Sequence, residues 1–318
     1  MHERVASGLT IRAPRNEDVS SIAALLASVE IVLDGRAEST KEDVRFFWSW
    51  PGFQVERDAW IVEAEGSFVG YAWVWGPRLP QPDYDARLSL RLPDFPTDAA
   101  HLLLDQMEDR VVEKSRADDA GTLPRLAIPC TAADLGKRDL LEARGYRPVR
   151  TFYRMQRALE GPSERAAWPA ETSVGTIRDR ADEEDLYRVL IDSFAEHYGY
   201  MPEPFDEWRR RNLDHSEYAP TLSFVVRRGG EAVAGSLNYR SPDEGTVGMI
   251  GVRRSWRRLG LGRALLLHSF DSFRSAGLLV AKLGVDSENA DRAVALYESV
   301  GMSITRRNTL YGRTLETS

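Results

Sequence analysis

Apolar residues alternate with polar ones in two stretches of the chain, AWIVEAEGSFVGYAWVW (59–75) and SFVVRRGGEAVAGSLNY (223–239). Acidic or glycine-rich turns break each stretch near its middle, so each predicts a β-hairpin. A second shared pattern closes each half. Residues 140–159 (LLEARGYRPVRTFYRMQRAL) and 296–315 (LYESVGMSITRRNTLYGRTL) read as a helix, a glycine C-cap at Gly145 or Gly301, and a strand running into a polar end. Each glycine stands at the same distance from a leucine, Leu159 or Leu315. The openings match as well. Thr10-Ile11-Arg12 precedes a helix start at Asn16-Glu17-Asp18, and Thr176-Ile177-Arg178 precedes one at Glu183-Glu184-Asp185. Three resemblances in the same order predict an internal duplication.

Each copy reads as strand, one or two helices, hairpin, strand, helix, strand, helix, strand. That order predicts an α/β domain, a mixed α+β layered fold with a central mixed sheet flanked by helices. Two such tandem domains are expected, over residues 1–160 and 175–318, with a linker over 161–174. The length of 318 residues suits two domains of about 150 each.

The segment MIGVRRSWRRLGLGRALLLHSF (249–270) carries the most chemistry. Thr246 to Val252 reads as a strand, and apolar residues from Leu261 onward follow helical spacing. Arg257-Arg258-Leu259-Gly260-Leu261-Gly262 lies between them. A helix N-terminus presents unpaired N–H groups and the positive end of its dipole, which suits a pyrophosphate. Gly260 and Gly262 let phosphates approach the backbone, while Arg257, Arg258 and Arg263 add countercharge. The third glycine and ribose-binding acid of a dinucleotide fingerprint are missing, as is the GK[ST] of a P-loop.

In this context the segment resembles the cofactor motif of the GCN5-related N-acetyltransferases (GNAT), through Val252, Arg257, Gly260, Leu261 and Gly262. Arg254 departs from it, standing where the family often has proline. VDSENADRAVALYESVGM (285–302) resembles the last motif of the same superfamily. The resemblance implies acetyl-CoA as cosubstrate, its pyrophosphate on residues 257–263 and its pantetheine arm between two splayed strands. It further implies Asn289 on that arm, a backbone N–H of Gly251 or Val252 toward the thioester carbonyl, and Tyr297 as the acid for the leaving thiolate. The alternative for Tyr297 is a half-buried helix aromatic. The duplicated architecture is similar to the mycothiol synthase-like tandem acetyltransferases.

The first half reads ARLSLRLPDFPTDAAHLLLDQMEDRV (86–111) at the corresponding place. Pro93, Pro96 and Asp98 occupy the junction, and Leu141 stands where the second half has Tyr297. Proline removes a donor, and Asp98 would cap the helix and repel a phosphate. This copy is expected to be a degenerate, non-catalytic domain. Its aromatic run Phe46-Phe47-Trp48-Ser49-Trp50-Pro51-Gly52-Phe53, with Trp60, Trp73 and Trp75, reads as core or interface, with a ligand box as the alternative.

A base for the acceptor is harder to place, because no residue from Thr246 to Gly251 is acidic. Glu244 is the candidate, with Asp286, Glu288 and His197 as further nearby polar groups. A net charge of -7 argues against nucleic acid as the main partner. The lone Cys130 excludes an intrachain disulfide, and no metal-ligand spacing appears. The N-terminus lacks a signal-peptide core and no apolar run is long enough for a bilayer, so no membrane partner and a cytoplasmic location are expected. The sequence sets no oligomeric state. The expected function is acetyl transfer from acetyl-CoA to a small-molecule amine. The alternatives are mycothiol synthase proper, a non-catalytic acyl-CoA-binding or sensing protein, and a protein-modifying enzyme.

Overall fold

The computed structural model describes residues 3–4, 8–78, 83–118, 123–161, 164–195, 200 and 203–316. The chain forms two compact units, Met1–Arg150 with Asn308–Ser318, and Thr151–Arg307. The first contains β1 (Glu3–Arg4), β2 (Leu9–Arg12), α1 (Val19–Asp34), α2 (Lys41–Trp48), α3 (Val55–Asp58), β3 (Ala59–Ala64), β4 (Ser67–Arg78), β5 (Asp83–Leu90), α4 (Thr97–Asp118), β6 (Arg125–Thr131) and α5 (Leu135–Ala143). β7 (Arg147–Ala158) passes into the second unit. There follow β8 (Thr172–Thr176), α6 (Arg180–Phe194), α7 (Phe205–Leu213), β9 (Phe224–Arg228), β10 (Glu231–Arg240), β11 (Glu244–Val252), α8 (Leu261–Ser275), β12 (Val280–Asp286), α9 (Ala290–Ser299) and β13 (Ser303–Thr314). No described helix is long and apolar enough to cross a membrane.

Both hairpins form where alternation predicts them, on two-residue turns at Glu65-Gly66 and Gly229-Gly230. All four turn residues have positive φ, the geometry that matches strand twist. The repeat extends to single hydrogen bonds. At the end of α5 the amide of Tyr146 donates to Leu141 O at 2.9 Å, and at the end of α9 that of Met302 donates to Tyr297 O at 3.1 Å. Gly145 and Gly301 adopt the left-handed conformation that each closure requires. The opening of α6 differs from expectation: it begins at Arg180, because the Asp179 side chain caps it by accepting from the Asp182 amide at 3.0 Å.

Strand order is β1-β2-β3-β4-β5-β6-β13 in the first unit and β7-β12-β11-β10-β9-β8 in the second. The β5–β6 and β11–β12 pairs are parallel, each joined by a helix, α4 or α8. The unit boundaries fall inside β7 and β13, whereas the repeat pattern places a linker at 161–174, a stretch that β8 already enters at Thr172. Pairing is the cause. Phe152–Ala158 of β7 pairs with β12, and Asn308–Thr314 of β13 pairs with β6. Each repeat's last strand therefore completes the sheet of the other unit.

Helices cover both faces of each sheet. In the first unit Leu103, Leu104, Met107 and Val111 of α4 are fully buried on one face, and Ile22, Leu25 and Leu26 of α1 are buried on the other. In the second, Leu266, Phe270 and Phe273 of α8 oppose Leu186, Val189 and Leu190 of α6 with Trp208 of α7. Each such side chain contributes about 2 kcal/mol by leaving water. The predicted aromatic run also packs within the first unit: Phe47 stacks on Trp73 at 4.0 Å, and Trp50 meets Trp75 edge-on at 5.2 Å.

Candidate active site

Two neighbouring parallel strands part company in the second unit. The β11–β12 ladder runs from Glu244–Val280 to Val247–Leu283 and ends there among the described residues. β11 continues on β10, with Gly251 opposite Gly235 and Val252 opposite Ala234. β12 continues on β7 as far as Asp286 opposite Phe152. A bulge in β11, where Gly248 is left over between the pairs Leu237–Met249 and Asn238–Val247, lies where the separation begins and turns β11 out of line. The separated edges carry backbone groups without the sheet partner that such groups need. Such a cleft can hold an extended chain bearing amides.

α8 begins at the mouth of this cleft. After Val252 the chain makes a single turn over Arg254–Trp256, then Arg258 and Gly260 take φ of +66° and +82°. Gly260 is the N-cap, and no side chain caps the helix. The first helical bond shown at this end runs from the Ala264 amide to Gly260 O at 3.0 Å, so the amides of Leu261, Gly262 and Arg263 have no intrahelical acceptor. A Cβ on Gly262 would lie 3.5 Å from Leu296 Cδ2 and 3.8 Å from Val252 Cγ2, which places this glycine between α9 and the end of β11. Leu261 is buried, while Arg257, Arg258 and Leu259 are exposed.

The arginines are less free than their sequence suggests. Arg257 donates through Nε to Val252 O at 3.2 Å and through Nη2 to Ser193 O at 3.3 Å, tying the loop to the ends of β11 and α6. Arg263 holds Glu164 in a two-pronged ion pair at 2.7 and 2.8 Å, which draws the Glu164 carboxyl below its ordinary range. The end of α6 also closes one side of β11: a Cβ on Gly251 would meet Ser193 Cβ and Oγ at 2.7 Å. Glycine at 251 is therefore a requirement of close packing.

Tyr297 lies in α9 and packs with Ile250 and Leu296 against the core beside the divergence. Burial pushes its phenol up to about 12. Its hydroxyl has no hydrogen-bond partner among the described residues. Asn289 ends the turn Ser287–Asn289 before α9, and its side chain lies outside the described residues, as does all of His197. Asp286 accepts the Glu288 amide at 3.0 Å and so shapes the turn. Glu244 sits at the opposite end of β11, buried and 2.6 Å from Lys282 Nζ. Gly251 lies seven residue steps along the strand from it, roughly 23 Å at about 3.3 Å each. The structure thus places Gly251, Val252 and the 257–263 loop together, with α9, the helix that carries Tyr297, beside them through Leu296, and puts Glu244 at the far end of β11.

The first unit keeps the parting but fills it. Its β5–β6 ladder ends at Asp85–Ala127. Beyond that point Lys137 of α5 donates from Nζ to Leu88 O at 3.1 Å. The register of β4 with β5 makes Leu88 the counterpart of Ile250, and Ala293 holds Lys137's place before the closing glycine of the other copy. The Phe95 ring lies on Gly136, where a Cβ would be 2.9 Å away. Carrying the repeat of 140–159 and 296–315 three residues toward the N-terminus would have set Lys137 against Ala293. Glu164 and Ser193, by contrast, carried no sequence signal.

Residues 183–302 match the family described as Acetyltransferase (GNAT) family, a span that covers the cleft. The mycothiol acetyltransferase of Geodermatophilus obscurus is 27% identical over 299 residues, 90% of this chain and 91% of that protein. The [ribosomal protein bS18]-alanine N-acetyltransferase of Escherichia coli is 34% identical over 103 residues, 32% of this chain and 69% of that protein. A GCN5-related N-acetyltransferase from Sphaerobacter thermophilus has the same fold, with a TM-score of 0.82 at 24% identity over 98% of this chain and 97% of that one. Identity at that level across two-thirds of a shorter enzyme means common descent, and the chain belongs to the GNAT acetyltransferase family.

Proposed function

We propose that this protein transfers an acetyl group from acetyl-CoA to the amine of a small molecule, with the second unit as its working site. The observation that carries this reading is the parted β11–β12 pair with an uncapped helix N-terminus at its mouth. The cleft fits the cosubstrate in kind: an open strand edge suits the amides of a pantetheine arm, and free helix amides suit a pyrophosphate. When bound, acetyl-CoA would supply the acetyl group as an activated thioester.

The chain's own groups then divide the work. The amides of Leu261, Gly262 and Arg263, with Arg258, hold the diphosphate. An amide of Gly251 or Val252 stabilises the oxyanion where charge develops. Tyr297, kept protonated by burial, donates its hydrogen to the departing sulfur. Glu244 is committed to Lys282, so the acceptor ammonium gives its proton to water. Lys137 and Phe95 close the equivalent cleft of the first unit, which leaves one cosubstrate site per chain. The likeness to a mycothiol acetyltransferase over 90% of this chain makes the unacetylated form of mycothiol the first acceptor to try.

Calorimetry of the intact chain with acetyl-CoA tests the site, and a screen of small amines with a thiol-detecting dye tests the reaction. One equivalent bound and thiol release dependent on an amine are expected. Two equivalents, or binding that survives Gly262→Glu, would place the cosubstrate elsewhere.

A further inference from the structure

The segment that follows β7 lies along the outer face of α8. Arg274 donates from Nη1 to Gly161 O at 3.2 Å, and three turns nearer the cleft Arg263 holds Glu164 with both prongs of its guanidinium. Leu267 and Phe270, on the same stripe of α8, floor the shallow groove beside Glu160 and Glu164. Arg263 is also drawn toward Ser299 O at 3.4 Å. The carboxylate of Glu164 therefore occupies the one arginine that stands on the first turn of α8, next to amides that have no intrahelical acceptor. A carboxylate and a phosphate present the same planar pair of acceptors to a guanidinium, so they compete for it.

We propose that Glu164 is a built-in competitor for the anionic end of the cosubstrate: Arg263 must release Glu164 before it turns to a phosphate, and this exchange weakens binding and speeds release. The inference rests on the acetyl-CoA reading given above. Both side chains are partly exposed, 35% and 58%, so the ion pair is screened by water and the exchange is rapid and modest in size. It gives the site a way to let the spent carrier go without loosening the cleft that orients the reacting group.

The test is calorimetry with acetyl-CoA and with 3′-dephospho-CoA on the intact chain. Glu164→Gln removes the charge and keeps the shape. It is expected to tighten acetyl-CoA by about two- to five-fold, the range of an exposed ion pair. Glu160→Gln removes an equal charge from the same groove without touching Arg263, and is expected to change little. In the Arg263→Ala background the gain from Glu164→Gln should vanish. Equal gains for both ligands mean that Arg263 turns to the diphosphate; a gain confined to acetyl-CoA means the 3′-phosphate, and either supports the exchange. Unchanged or weaker binding by Glu164→Gln, or the same gain from Glu160→Gln, overturns it. Failure of every variant and of the wild type to bind acetyl-CoA overturns the cosubstrate reading instead.

Discussion

Glu244 Oε2 lies 2.6 Å from Lys282 Nζ, two side chains on adjacent parallel strands at the closed end of the β11–β12 pair. Both are largely buried, with side-chain exposures of 9% and 14%. The contact leads us to expect a structural part for Glu244, which its substitution tests. Glu244→Gln is expected to lower unfolding free energy by about 3 kcal/mol, because it breaks an ion pair between two largely buried groups. Turnover per folded molecule should stay within about two-fold. A large fall in turnover with stability unchanged would return Glu244 to the chemistry.

Gly262 separates the cofactor site from the fold. Its neighbours would meet an added Cβ at ordinary contact distance, and Glu is a better helix former than Gly with a charge suited to a helix N-terminus. Gly262→Glu is therefore expected to keep or slightly raise the melting temperature. The same carboxylate fills and repels the diphosphate position, so acetyl-CoA affinity should fall about 100-fold or more. Calorimetry beside thermal unfolding decides the matter; retained affinity would move the phosphates off α8.

A pH dependence follows from His268. Its imidazole lies edge-on to Phe224 at 4.5 Å and to Trp168 at 5.7 Å. Burial lowers its pKa from 6.5, and the Asp271 carboxylate opposes that only in part. The unfolded chain thus binds this proton more readily than the folded one, and stability rises with pH. The contribution is complete above about pH 6.5 and is lost as pH falls below it. Denaturant titrations at pH 5 and pH 7.5 should show that His268→Phe flattens the acid side of the wild-type profile. An identical slope in both proteins would remove His268 as its cause.

The sequence carried the parts of the fold that local chemistry dictates. Gly145 and Gly301 were legible because a helix end needs a residue that tolerates positive φ, and the hairpins because their turns interrupt a period of two. The 257–263 loop was legible for the same reason. What escaped depends on pairing between distant segments. Which residues of β7 lie beside β12, and which of β13 beside β6, is set by sheet register that no local pattern records. Glu244 looked close to the cleft because sequence distance hides direction along a strand. Arg263 looked free because its partner, Glu164, lies 99 residues earlier in an irregular stretch.

Tyr297 carries the sharpest prediction. Tyr297 is half-buried and its hydroxyl has no hydrogen-bond partner among the described residues, so Tyr297→Phe breaks no described hydrogen bond and is expected to leave stability nearly unchanged. Acetyl-CoA affinity should likewise hold, since the ring and its packing against the core of the second unit remain. Turnover is where the loss should appear, by roughly 100-fold or more, because the donated hydrogen matters only as charge builds on sulfur. The phenol at about 12 adds a second signature. It stays protonated through pH 10, so the wild-type rate should show no descending limb there, whereas an acid near the ordinary tyrosine value of about 10 would give one. Rate profiles to pH 10.5 on both proteins, with the amine acceptor found by the screen, test the two signatures together. Unchanged turnover in the Phe variant would reduce Tyr297 to a packing residue and leave thiolate departure to solvent.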